Sequence, residues 1–143
     1  MLSRPFVPAA LVAAVLSAAG CGLLDPAPSA EVGDCVDMAT LQEEEVTEIP
    51  TVDCTQEHDG QLAVSFQMPE GDYPSDQEFQ DALEEECLSG FEEFIGTGYA
   101  DSSLEIYDLS PTQESWDAGD RRVLCLVYLP DDTTTESFEG SGL

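Results

Sequence analysis

Lysine is absent from this chain, and its 31 acidic residues are opposed by only three arginines (Arg4, Arg121 and Arg122) and one histidine, for a net charge of −28. Such a surface repels phosphate backbones and anionic headgroups. That excludes nucleic acid as a partner and excludes membrane attachment through basic patches. No apolar run reaches the ~20 residues that a membrane helix needs. Also missing are GxSxG, HExxH, SxxK, a P-loop and a dinucleotide glycine fingerprint, and DDTTTE at 131–136 lacks the alternating ligands and central glycine of an EF-hand loop. No motif spells out a reaction, and no cofactor is expected.

What is present begins with an export signal. Arg4 precedes an apolar run over 9–19, and small residues lead into Cys21, the pattern of a cleaved signal peptide at 1–20. Ala18-Ala19-Gly20-Cys21 resembles a bacterial lipobox, in which the cysteine becomes the lipidated first residue. Residues 21–31 then form a short tether whose Pro26 and Pro28 favour extended chain. The expected location is the outer face of the cytoplasmic membrane, held by the lipid; plain secretion is the alternative. Cleavage would remove Arg4 but none of the acids, leaving two arginines against 31 carboxylates.

The folded part, 32–130, shows no internal repeat. Strand-like segments at 34–38, 49–54, 61–67, 104–109 and 122–129 are bounded by Gly, Pro, Asp or Ser; the run at 43–48 between the first two is a polar loop or edge. One helix is well marked. Ser75 with Glu78 makes a capping box. Phe79, Leu83, Cys87, Phe91 and Phe94 then form one stripe, and Gly96 is a stop. The opposite face carries Asp81, Glu84, Glu85 and Glu92 with no lysine to pair them, so this helix depends on packing. The expected fold is α+β: a single small domain with one amphipathic helix on a mostly antiparallel sheet. Residues 131–143 read as a polar tail or an added edge strand.

Five cysteines in an exported chain leave one without a partner, and Cys21 is that one. Cys87 lies on the buried stripe of the helix, and Cys125 shares a strand face with Val123 and Val127. Among three possible pairings, the expected one is therefore Cys87–Cys125, stapling helix to sheet, with Cys35–Cys54 closing a loop.

The stretch TVDCTQEHDG at 51–60 holds the only histidine. A Cys54–His58 catalytic pair needs a free thiol, which export disfavours. A divalent-cation site around His58 would use Asp53, Glu57 and Asp59, yet one imidazole among carboxylates lacks the spacing of a zinc site. The structural reading is a turn in which His58 and Asp59 bond local backbone. A hydrolase of wall material using a carboxylate pair is a further alternative, but with 31 acids some pair always lies at a suitable distance. Trp116 reads as a core or rim aromatic beside Ala118-Gly119-Asp120, and if exposed it is the best contact for a sugar or a partner. Arg121 or Arg122, amid so many carboxylates, is expected to pair back onto the protein.

Together GDCVD at 33–37, VDCTQEHDG at 52–60, YPSDQEFQ at 73–80 with Cys87 beyond it, and PTQESWDAGDRRVLCL at 111–126 resemble the septum formation-related domain of exported and membrane-anchored actinobacterial proteins. The resemblance runs over about 32–142 and takes in Gly33, Asp34, Cys35, Val52, Cys54, His58, Asp59, Cys87, Trp116, Gly119, Asp120, Arg121 and Cys125. Glu57 stands where that family often has proline. The resemblance implies an envelope role near septum assembly and implies no catalytic activity. The expected protein is a noncatalytic module that binds an envelope protein or wall polymer, with His58 and Asp59 in a stapled turn that presents a surface.

Overall fold

The computed structural model describes residues 29–41 and 48–143. The signal segment, Cys21, most of the tether and all but Glu48 of the 43–48 loop lie outside them. Among the described residues no helix is long and apolar enough to cross a membrane.

Five strands, β1 (Cys35–Val36), β2 (Thr51–Val52), β3 (Gly60–Gln67), β4 (Glu105–Leu109) and β5 (Arg122–Tyr128), form one sheet in the order β2-β1-β3-β5-β4. Every pairing is antiparallel. β5 lies between β3 and β4 and is apolar on both sides because both of its faces are covered. Val123 and Val127 pack towards the helix, whereas Leu124 and Leu126 join Val36, Met38, Leu41, Ile49 and Leu62 on the opposite side. The edge strand β4 is largely exposed and carries Glu105 and Asp108, charges that discourage edge-to-edge association.

Two expected strands are shorter than their sequence pattern. After Val36 the chain turns into a 3₁₀ helix, Met38–Leu41, and only Thr51–Val52 of 49–54 pairs. In both places side chains hold the backbone in turns. Asp59 Oδ1 accepts the Met38 N–H at 2.7 Å, and Asp53 Oδ1 accepts from the Thr55 N–H and hydroxyl. Short polar side chains that bond nearby backbone compete with ladder formation.

The helix runs as α1 (Asp76–Ala82), a π-helical turn (Leu83–Cys87) and α2 (Leu88–Ile95). The capping box is complete, with Ser75 Oγ accepting the Glu78 N–H and Glu78 Oε2 accepting the Ser75 N–H at 2.8 Å. The π turn follows from the stripe itself. Apolar residues spaced by exactly four drift by about 40° per step on an α-helix of 3.6 residues per turn. A single widened turn takes up that drift, and Cys87, Phe91 and Phe94 all stay buried. Gly96, with φ of 87°, ends α2 in the left-handed region.

Close approach of α2 to the sheet depends on Gly90: a Cβ there would lie 2.4 Å from Val64 Cγ2. β3 shifts register between Leu62 and Val64 opposite β5. This bulge turns both Ala63 and Val64 towards the helix. Two disulfides complete the fold: Cys87–Cys125 ties the helix to β5, and Cys35–Cys54 closes a 19-residue separation. This is the pairing expected from the helix stripe.

Residues 131–143 are neither a free tail nor an edge strand. They fold back over the helix side, and Phe138 is 1% exposed among Phe91, Phe94 and Ile95. Gly140 and Gly142 N–H groups donate to the Phe94 and Ile95 carbonyls, so the tail also satisfies the open C-terminal end of α2. The folded unit therefore extends well past residue 130.

Candidate functional site

Two corners of the domain gather the side chains singled out in the sequence. At the first, His58 precedes β3. Its backbone pairs with Thr134 of the returning tail through two hydrogen bonds, 2.9 and 2.8 Å. Its ring is 2% exposed and lies 5.8 Å from the Phe138 ring. Nδ1 is 2.8 Å from the Gln56 carbonyl, which can only accept, so Nδ1 carries the proton. In the neutral ring Nε2 is then an acceptor, and it is buried and without a hydrogen-bond partner.

One ring nitrogen of His58 and the sulfurs of Cys35 and Cys54 lie within 4.8 Å of one another. This trio is the only such group of possible ligand residues among the described residues. Beside it Gln61, 1% exposed, donates from Nε2 to the Gly33 carbonyl and Ser137 Oγ, reaches Cys54 Sγ at 3.9 Å, and accepts the Phe138 N–H at Oε1. Gln61 thus ties the disulfide corner to the tail. The sequence carries one sign of this arrangement: Phe138 is a lone large apolar residue in a polar run.

The carboxylates near His58 serve other contacts. Asp59 holds Met38, Glu57 accepts from the Thr133 hydroxyl at 2.8 Å, and Asp53 holds Thr55. The Asp53 pKa is lowered, first by the Thr55 hydroxyl and then by its N–H. Ser75 likewise lowers Glu78, through its backbone and then its hydroxyl. Both shifts run opposite to what the acid of a glycosidase pair requires.

At the second corner α3 (Gln113–Asp117), capped by the Thr112 hydroxyl, carries Trp116. Trp116 is 3% exposed, and its Nε1–H donates to the Gly71 carbonyl at 3.1 Å. Tyr73 and Phe79 meet its ring edge-on. The Arg121 guanidinium stacks 3.8 Å from the Trp116 ring centre, and its Nη1 donates to the Trp116 and Asp120 carbonyls. A longer ion pair reaches Glu70 at 3.6 Å. Asp120 Oδ1 accepts the Arg122 N–H.

One expectation is corrected, and Trp116 takes the core position of the two that were open to it. His58 presents no surface, because the tail covers it. Trp116 offers no stacking face to a sugar, because Arg121 occupies one side of the ring and Tyr73 and Phe79 pack against it. Arg121 does pair back onto the protein. Near the first corner an open groove of about 370 Å³ is lined by Glu57, Thr133, Thr134, Thr135 and Glu136.

These features define a small α+β domain held by two disulfides, with its histidine, tryptophan and Arg121 built into the frame. The chain belongs to the septum formation family, whose model matches residues 32–141. Searches of curated proteins and of solved structures found no match.

Proposed function

We propose that this protein is a lipid-anchored, noncatalytic interaction module on the outer side of the cytoplasmic membrane, acting in septum formation by binding an envelope protein or wall polymer. The observation that carries the reading is the internal commitment of His58, Trp116 and Arg121, each held by contacts that a substrate would have to break. Family membership supports the link to division. The two disulfides support an oxidising compartment. Cys21, the fifth cysteine, is the residue the lipid would occupy.

The groove beside the tail gives a partner two carboxylates and threonine hydroxyls, a lining suited to amines and hydroxyls. A photocrosslinking residue placed at exposed Thr135 and activated in intact cells tests this. Recovery of a specific envelope protein or wall fragment supports the reading. Recovery of neither, alongside turnover of wall fragments by the purified protein, contradicts it.

A further inference from the structure

The disulfide corner holds more chemistry than a staple needs. His58 Nε2 is an unpartnered lone pair in a nearly sealed site, although buried acceptors are normally paired. Its opposite nitrogen donates to a backbone carbonyl, the arrangement that orients metal-ligating imidazoles and fixes their tautomer. Both sulfurs lie within 4.8 Å of a ring nitrogen. In a tetrahedral zinc centre the ligand atoms are about 3.4–3.8 Å apart, from Zn–S near 2.3 Å and Zn–N near 2.0–2.1 Å. Small side-chain movements therefore suffice once the two sulfurs separate.

We propose that the Cys35–Cys54 disulfide is a stored metal site: opened by an external dithiol, its two thiolates and His58 bind one Zn²⁺. Cys35 is fully buried and Cys54 is half-buried, so the dithiol attacks at Cys54. A thiolate of the reductant forms a bond to Cys54 Sγ, the protein S–S bond breaks, and Cys35 leaves as a thiolate and takes up a proton. The second thiol of the reductant then attacks its own sulfur in the mixed disulfide. This frees Cys54 and leaves the reductant as a cyclic disulfide, oxidised by the two electrons the protein gained. Zn²⁺ displaces the two thiol protons. Two thiolates, a neutral imidazole and Zn²⁺ sum to zero charge, which suits a buried position. The Gln61 amide, 3.9 Å from Cys54 Sγ, supplies an N–H to the thiolate by releasing Ser137 Oγ, because its two N–H groups are held by that hydroxyl and the Gly33 carbonyl. Cys87 and Cys125 have no histidine beside them and take no part.

The test is anaerobic titration of phosphine-reduced protein with Zn²⁺ against a chromophoric chelator, with thermal unfolding followed in parallel. One Zn²⁺ per chain is expected in the reduced protein and none in the oxidised protein, with a rise in melting temperature only in the former. Cys54→Ser, at a half-exposed position, should weaken Zn²⁺ by more than about a hundredfold, beyond the ~10–100-fold that outer-shell partners cost. Cys87→Ser with Cys125→Ser should leave affinity unchanged. Equal affinity in wild type and Cys54→Ser overturns the proposal. So does loss of binding only in the Cys87/Cys125 variant, or binding with no gain in thermal stability, which marks an unfolded chain holding metal.

Discussion

Replacing Phe138 by alanine tests whether the polar C-terminal run is part of the fold. Its side chain is 1% exposed, packed on Phe91, Phe94 and Ile95, and its ring covers His58. Burial of such a side chain contributes about 1.5–3 kcal/mol. The cavity left by truncation brings typical losses to about 3–5 kcal/mol. A chain end collapses into the gap more readily than a central strand, so the lower figure, about 3 kcal/mol, applies. For a domain of this size that lowers the melting temperature by roughly 12 °C. Chemical and thermal unfolding of the disulfide-intact variant would measure it. Amide exchange at Gly140 and Gly142, bonded to Phe94 and Ile95, should accelerate with it. A loss under ~1 kcal/mol with those amides unchanged would refute the placement of the tail in the core.

Gly90→Ala should destabilise by about 1–3 kcal/mol, although alanine is the better helix former by about 1 kcal/mol, because the new methyl meets Val64; denaturant titration should show Val64→Ala restoring part of the loss. Cys87→Ala with Cys125→Ala should cost about 4 kcal/mol on the chain-entropy model for a 38-residue separation, read as a lower urea midpoint. Glu78 has its pKa lowered in the folded state by Ser75. Its contribution is therefore present above the unfolded value near 4.5 and is lost as pH falls through the folded value; amide exchange at Ser75 should rise there first, and Glu78→Gln should remove that pH dependence. Arg121→Lys should expose Trp116 and red-shift its fluorescence, because an ammonium cannot both stack on the ring and donate to two carbonyls.

Fold class and staples were legible because they rest on local signals. Ser75 and Glu78 mark the helix start, the four-spaced stripe carries Cys87 inward, and the alternation of Val123, Cys125 and Val127 turns Cys125 to meet it. The π turn was implicit in that spacing, which an ideal helix cannot keep on one face. The tail was hidden because its anchoring depends on distant partners: Phe138 needs α2, and Thr134 needs the backbone of His58. His58 itself looked like a surface turn residue because its neighbours are acidic. Only the tertiary fold shows that those carboxylates bond elsewhere while the ring points into the corner. Trp116 and Arg121 lie five residues apart, and a short helix was needed to bring the guanidinium onto the ring.

The most direct test of the account is the intact mass of the protein isolated from its own membranes, before and after reduction and thiol alkylation. The account predicts residues 21–143 carrying a diacylglycerol-type lipid on Cys21, with four thiols appearing only on reduction. A lipid-free soluble chain with a free thiol at Cys54 would contradict both the anchor and the stapled frame.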